Sequence, residues 1–466
     1  MNRFFHVTER GSSIRTEIGA GLTTFMAMAY ILMVNAGMFA ELDGVTYGAV
    51  YIATAISAVI GTVCIGLLAN LPLAQAPGMG LNAFFVYTAC MTFGLSYANA
   101  LVLVLFDGII FVLLTVTGLR KVIFDAIPAA VKMSISAGIG IFIAFLGLQN
   151  AGIVVDDGAT LVNLRSFNLL GGNVTWADIF PALVTLLGLF AIGIMAKKKV
   201  KGAVMWGILG SAVLYYAVGL ITVPGFYAAA IAPNLSSDFL GAFKDFANLS
   251  FGKVFTEGFD FSAYIAAHGT FDFVVMFITT MLAFCMVDMF DTLGTLYGAC
   301  SAGNMLEDGE IPNVNRAMLS DAIATCCGSV MGTSTVTTFV EASSGVAEGG
   351  RTGLSAMSTA AFFFIAMFLS PVAQLIPTYA CAAALIYVGV LMIGGVKDVD
   401  WSDPATAVPA FMTIVMMPLT YNISYGIAFG LLSYIVIKLF TGKAKEIHVG
   451  TWVIGILFTV MFFVSR

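Results

Sequence analysis

Leu73-Ala74-Gln75-Ala76-Pro77-Gly78-Met79-Gly80-Leu81-Asn82 and Gly332-Thr333-Ser334-Thr335-Val336-Thr337-Thr338-Phe339-Val340-Glu341 are the two stretches that decide how this chain is built. Both lie inside apolar sequence, and both are poor helix formers. Pro77 with Gly78 and Gly80, and a run of β-branched threonines, favour extended chain leading into a short helix. Extended backbone at membrane depth survives only where protein or a water-filled cavity surrounds it. Interrupted segments at matching places in two halves of a membrane chain point to the ligand site of a secondary transporter.

The sequence around them is that of a membrane protein. Of 466 residues, 60% are apolar even with the 49 glycines left out, 10% are charged, and the mean hydropathy is +0.99. A soluble fold cannot hide that much apolar surface. An outer-membrane barrel would show alternating segments of about ten residues, whereas the apolar runs here are continuous and about twice as long. They fall near 18–40, 48–69, 78–94, 97–118, 128–149, 175–196 and 202–222. After a polar interruption over 223–268 they resume near 271–300, 315–331, 335–349, 353–371, 378–396, 405–419 and 422–440. The interruption reads as an external loop with short helices, and 450–464 is left over as a segment that crosses the membrane or lies in its surface.

Lysine and arginine orient the chain. With the N-terminus inside, Arg3, Arg10, Arg15, Arg120, Lys121, Lys197, Lys198, Lys199, Lys201, Arg316, Arg351, Lys397, Lys438, Lys443 and Lys445 all fall on the cytoplasmic side, as the positive-inside rule demands. The opposite loops are acidic: Glu41 and Asp43, Asp156 and Asp157, then Asp238 to Asp260. A multi-pass protein of the cell (plasma or inner) membrane, N-terminus cytoplasmic, is expected. A net charge of −6 gives no sign of nucleic-acid binding. Seven scattered cysteines and three histidines outside the apolar centres give no metal pattern, so no metal, cofactor or enzymatic activity is expected.

The two sets of seven are related. Ile127-Pro128 opens the fifth span and Ile376-Pro377 the twelfth, 249 residues later; Leu81-Asn82-Ala83 in the third is echoed by Val340-Glu341-Ala342 in the tenth. Because seven is odd, the second copy must be inverted relative to the first. The fold class is therefore an all-α polytopic membrane protein with a 7+7 inverted repeat and short extended stretches in spans 3 and 10.

Few carboxylates lie within the spans: Asp107, Asp288, Asp291, Asp321 and Glu341. Each costs about 2.5–3.5 kcal/mol at a helix centre, so each needs a partner or a cavity. Asp288 and Asp291, at i and i+3, share a helix face and cannot both ionise cheaply. Asp321, near a helix start, reads as structural; Asp107 has no assigned role; Glu348 and Arg351 read as an ion pair or cap. No basic residue is central in any span, so the site suits a neutral ligand rich in N–H donors, or a cation. A planar base offering adjacent N–H groups fits one carboxylate in bidentate fashion, and Phe84, Phe85, Phe290 and Phe339 supply apolar faces for stacking.

Beyond this, the chain resembles the AzgA-type purine permeases. The resemblance is carried by Glu17-Ile18-Gly19-Ala20-Gly21-Leu22-Thr23-Thr24-Phe25-Met26-Ala27-Met28-Ala29-Tyr30, by Ala76 to Ala83, by Asp288-Met289-Phe290-Asp291-Thr292-Leu293-Gly294-Thr295, by Gly332 to Glu341 and by Gly349-Gly350-Arg351-Thr352-Gly353-Leu354. These motifs span most of the chain in the family's order. Asp107, and Ala342-Ser343-Ser344 after the glutamate, depart from its pattern. The family belongs to the nucleobase–cation symporters, and the resemblance implies a core domain and a gate domain, proton-driven uptake of adenine, guanine or hypoxanthine, and dimerisation by analogy. It puts Asp288 and Glu341 on the substrate, with Asn82 and Asp291 supporting the site; of the rings named above, Phe339, Phe290 and Phe84 are expected to line it. For the proton itself, the crowded Asp288/Asp291/Glu341 group is the candidate, with Asp291 as carrier. The expected division is a core of 1–120 and 269–372 and a gate of 121–268 and 373–466, the two moving in an elevator-like cycle. An anion or bicarbonate carrier on the same fold, or an ion channel, is the alternative; the acids on both site helices weigh against the anion.

Overall fold

A computed structural model of the chain describes residues 2–118, 126–171, 174–232, 240–303, 305–306 and 311–464. Arg120, Lys121 and Asp238, used above to orient the chain, lie outside the described residues, as does the junction at 120/121. Among the described residues, nine helices are long and apolar enough to cross a membrane. They supply span 1 (Ile14–Phe39), span 2 (Tyr47–Leu68), span 4 (Tyr97–Thr117), span 5 (Ala129–Asn150), span 6 (Trp176–Lys197), span 7 (Ala203–Thr222), span 8 (Thr270–Ala302), span 11 (Gly353–Ala373) and span 14 (Ile423–Phe440). Span 9 is Val314–Met331, span 12 Thr378–Met392 and span 13 Pro404–Thr420. The helix starts are legible locally: Ser13, Thr46, Ser96 and Asn422 each accept the backbone N–H three residues on, an N-cap contact worth about 1 kcal/mol.

Spans 3 and 10 are broken as their sequences demand. Gln75–Pro77 and Val336–Thr338 are short strands, paired antiparallel with Gln75 opposite Thr338, Ala76 opposite Thr337 and Pro77 opposite Val336. Gly78 N–H donates to Thr335 O at 3.0 Å, and Phe339 N–H to Ala74 O at 3.1 Å. The extended backbone thus satisfies its polar groups across the two halves rather than with water. Each strand then runs into helix: Met79–Ala83 continuing as the loosely wound Phe84–Thr92 in span 3, and Val340–Ala342 continuing as Ser343–Ala347 in span 10.

Spans 1–4 pack with spans 8–11, and spans 5–7 with spans 12–14. Where spans 5 and 12 cross, Gly140 and Gly389 face each other so closely that a Cβ on Gly140 would lie 2.8 Å from the Gly389 carbonyl oxygen. Gly389 follows Gly140 by 249 residues, the offset between the two Ile-Pro pairs. Equivalent residues of the two repeats therefore meet, and the pseudo-two-fold axis runs through this crossing.

Other details correct the sequence reading. Between spans 5 and 6 lies a β-hairpin, Val154–Asp157 with Leu161–Leu164, read from sequence only as an acidic loop. Glu348 does not pair with Arg351. It takes the Lys201 ammonium at 2.6 Å, while the Arg351 guanidinium donates to the carbonyls of Val346 and Gly350. The N–H groups of Arg351 and Ser355 go to buried Glu17, which caps span 11 from span 1. The loop over 223–268 carries short helices, including Gly241–Asp245, Lys253–Thr256 and Ser262–His268. The leftover segment is the helix Val449–Val464, packed on spans 8 and 14. At about 1.5 Å per residue it is shorter than the roughly 30 Å hydrocarbon core.

Candidate functional site

The strand pair leaves the starts of two short helices facing one cavity of about 370 Å³, within the usual range for a small-molecule site. Gly78, Met79 and Gly80 line it from span 3, Thr338, Phe339, Val340 and Glu341 from span 10, and Phe290, Asp291, Gly294 and Thr295 from span 8. Ser136 of span 5 and Val388, Leu391 and Met392 of span 12 close the far wall. No lysine, arginine or histidine is among these residues. Tyr30 of span 1 lines the cavity too, and its hydroxyl donates to Glu341 Oε1 at 2.7 Å.

The structure brings together four of the seven expected site residues: Asp291, Glu341, Phe290 and Phe339. Asp288, Asn82 and Phe84 stand behind the wall. Asn82 Nδ2 donates to Pro77 O at 3.3 Å, and its Oδ1 accepts from Ser334, so it fastens span 3 to span 10. Phe84 is buried against Phe284, their ring centroids 4.6 Å apart. Asp288 is fully buried. Three residues turn a helix by about 300°, leaving roughly 60° between Asp288 and Asp291, and this is enough to point one at Asp321 and the other into the cavity.

Sequence reasoning missed Tyr30, Thr338 and Thr295 on the wall, and Gln75 beneath it. Gln75 Nε2 lies 3.2 Å from Ser320 Oγ, Asp321 Oδ1 and Thr338 Oγ1, tying the strand to span 9. Asp321 is two turns inside its helix and buried, not at the helix start. The available signal was the motif ending at Tyr30; nothing local distinguished that tyrosine from the other 14.

A second cavity, of about 630 Å³, lies at the opposite ends of spans 5 and 12, where Asn150 and Thr378 stand. It is lined by Tyr47, Tyr215, Tyr216 and Tyr379 with Glu41 and Asp245. Beside it Tyr87 Oη donates to Glu41 Oε1 at 3.1 Å, the Tyr87 and Tyr421 rings meet edge-on at 5.4 Å, and Tyr421 Oη donates to Gln149 Oε1 at 3.0 Å. Tyr87 and Glu41 belong to the first packing group, Tyr421 and Gln149 to the second.

A cavity at the starts of two interrupted helices, one from each inverted half, is the architecture of a carrier. Residues 15–429 match the Permease family. The chain belongs to that family. Similar relatives include the guanine/hypoxanthine permease PbuO of Bacillus subtilis, 37% identical over 99% of this chain and 100% of its own length. The adenine permease AdeP of Escherichia coli (strain K12) is 36% identical over 98% of this chain and 95% of its own. Among solved structures, the transmembrane domain of a cyanobacterial bicarbonate transporter, BicA, superposes with a TM-score of 0.61 at 16% identity, covering 88% of this chain and 97% of that one. SLC26A9 gives 0.60 at 11% identity, covering 94% and 68%. These likenesses show the 7+7 inverted-repeat fold of the permease and say nothing of its cargo.

Proposed function

We propose that this permease carries purine nucleobases (adenine, guanine or hypoxanthine) across the cell membrane by proton symport. The observation that carries the reading is the pairing of Asp291 and Glu341 in one cavity without basic residues, flanked by Phe290 and Phe339. Two acceptor-only groups and two rings suit a planar heterocycle presenting N–H edges. The names of the relatives, adenine and guanine/hypoxanthine permeases, support the same cargo. Glu341 and Asp291 take the ligand's N–H groups, while Asp288, expected on the ligand, acts from behind the wall.

With the N-terminus cytoplasmic, the ligand cavity faces the cytoplasm and the tyrosine-lined one faces outside. Spans 1–4 and 8–11, within 1–120 and 269–372, form the core; spans 5–7 and 12–14, within 121–268 and 373–466, form the gate. In the elevator-like cycle the core carries the ligand past the gate, and opening the outer side parts Tyr87 and Glu41 from Tyr421. A homodimer in the bilayer is the working assembly. The test is uptake of labelled hypoxanthine, guanine and adenine into proteoliposomes, with and without an inward proton gradient. Concentrative uptake with the gradient alone is expected. Uptake of bicarbonate with indifference to every purine would replace this reading with the anion carrier.

A further inference from the structure

Behind the ligand cavity, spans 4, 8 and 9 bring Asp107, Asp288 and Asp321 together, all three without solvent-exposed surface. The donors reaching them are few and unevenly shared. Asp321 is the best supplied: Gln75 Nε2 lies 3.2 Å from one oxygen, and Thr292 Oγ1 donates to the other at 3.0 Å. Asp107 accepts from Thr335 Oγ1 at 3.2 Å on one oxygen and has no donor on the other. No N–H or hydroxyl reaches either oxygen of Asp288; it meets only the Asp321 carboxyl. Gln75 Oε1, next to Asp321, is also buried without a donor.

The other titratable groups facing the triad are Cys285 and Asp291 on span 8 and Cys326 on span 9, with Glu341 of span 10 beyond Asp291. The only basic residue in these three helices, Arg316, is exposed at the start of span 9. Three buried negative charges with no positive partner are strongly disfavoured, so the charge must be cancelled by something small. Among the described residues no three or more His, Cys, Asp or Glu groups are arranged to hold a metal ion. Two carboxyl groups that meet can bond only if one is protonated. Since both oxygens of Asp321 already accept, the proton belongs on Asp288 and is donated to Asp321.

We propose that the Asp107–Asp288–Asp321 triad, rather than the ligand cavity, holds the coupling proton of this carrier. The proposal rests on the proton-symport reading and deepens it. Asp321 keeps the charge, Asp288 and Asp107 hold protons, and one of the two exchanges in each cycle. Two hydrogen-bonded routes connect the triad to the cavity. Gln75 bridges Asp321 to Thr338 on the wall. Thr292 contacts Asp321 and Thr337 and is next in the chain to Asp291. Release of the proton strengthens the pull on Gln75 and Thr292 and shifts the strand and helix that shape the ligand site. This is the differential effect on the cavity that coupling requires.

The test uses the full chain in lipid without any nucleobase. Infrared difference spectra in H₂O and D₂O over a pH titration detect the carbonyl stretch of protonated carboxyl groups. Wild type is expected to show such bands at neutral pH, with D107N and D288N each removing one; unchanged bands in both variants overturn the proposal. If D107N does not fold, Thr335→Val, which strips Asp107 of its donor, is read instead: a shifted band is expected and an unmoved one excludes Asp107. In proteoliposomes, the ratio of gradient-driven accumulation to hypoxanthine exchange should fall about tenfold in D107N or in D288N, whichever has lost the exchanging proton, under a one-unit pH gradient, the driving force of one proton. An unchanged ratio in both variants counts against the triad. A sodium-dependent rise in wild-type Tm that D107N lacks overturns the proton as occupant. If wild type moves no purine at all, the nucleobase reading fails, and the spectra still decide the triad.

Discussion

Glu341 takes its side-chain donor from Tyr30, whose Oη lies 2.7 Å away, and this sets two expectations. Glu341→Gln removes the ionised acceptor while keeping the shape. Losing one charge-assisted hydrogen bond costs about 1.5–3 kcal/mol, so the Kd for hypoxanthine should rise roughly 10- to 150-fold by calorimetry on purified protein. A Kd like that of wild type would remove Glu341 from the site. Tyr30→Phe acts in the opposite sense on stability. It takes the side-chain donor from the Glu341 carboxylate in the empty protein, a penalty of about 1–3 kcal/mol, which a bound N–H relieves. The empty variant should therefore melt lower than wild type, and hypoxanthine should raise its Tm by more; an equal rise would show that ligand and Tyr30 do not share that acceptor. At this scale the sequence showed the charges and not their directions. Asp291 and Glu341 stood out as carboxylates in apolar helices, but which of Asp288 and Asp291 faces the ligand depends on helix rotation, which tertiary packing sets.

The short span-3 helix passes span 5 at Gly80, where a Cβ would come within 2.5 Å of Ile139 Cγ2. Ile139 is β-branched and buried, so it yields poorly. Gly80→Ala should slow hypoxanthine transport, and adding Ile139→Ala should restore part of the rate; no restoration would mean the contact is not the obstacle. The hairpin between spans 5 and 6 offers a separate test. Asp157 accepts the N–H groups of Ala159 and Thr160, each at 2.9 Å, and these bonds hold its carboxyl down at about 2. A depressed carboxylate stabilises its fold at and above its ordinary pKa and loses that contribution as the pH falls through the folded value. Protection of the two amides should thus persist down to about pH 4 and fade toward pH 2, whereas Asp157→Ala should abolish it throughout, as read by hydrogen exchange. The broken helices were legible because proline, glycine and clustered threonines act locally. The hairpin was not, because its strand Leu161–Leu164 is exposed along its length and shows no inward-outward alternation.

The two inverted repeats meet where spans 5 and 12 cross, and the glycine pair there makes the packing of spans 5–7 against spans 12–14 sensitive to one methyl group. Gly389→Ala would press its Cβ against the Gly140 carbonyl and 2.7 Å from Ala144 Cβ. Overpacking of this kind costs about 1–3 kcal/mol, so Tm should fall. The same change at Gly193, inside the helix Trp176–Lys197 with open space around it, should hold or raise Tm, since alanine is the better helix former. Equal effects at both positions would deny the crossing its role. The repeat itself was visible from Ile127-Pro128 and Ile376-Pro377, because a proline opening a span is local punctuation that can be read without knowing the packing. The packing partners were not, since small residues at helix crossings look like any other glycine in a chain that has 49.

The strand pair also has a consequence for how the protein is made. Ala76 and its partner Thr337 are separated by 261 residues. At about 5–20 residues per second on a ribosome, the first strand waits roughly 13–50 s for the second to emerge. During that interval the polar backbone of Gln75–Pro77 has no ladder to join, and the hydrocarbon interior offers it no water. The third span must therefore linger at the insertion machinery or at the lipid–water boundary, entering fully only when its counterpart arrives. The ligand site can then form only after the second half has begun to emerge, and a nascent chain cut short before residue 336 holds every residue the first half contributes to the cavity without being able to build it.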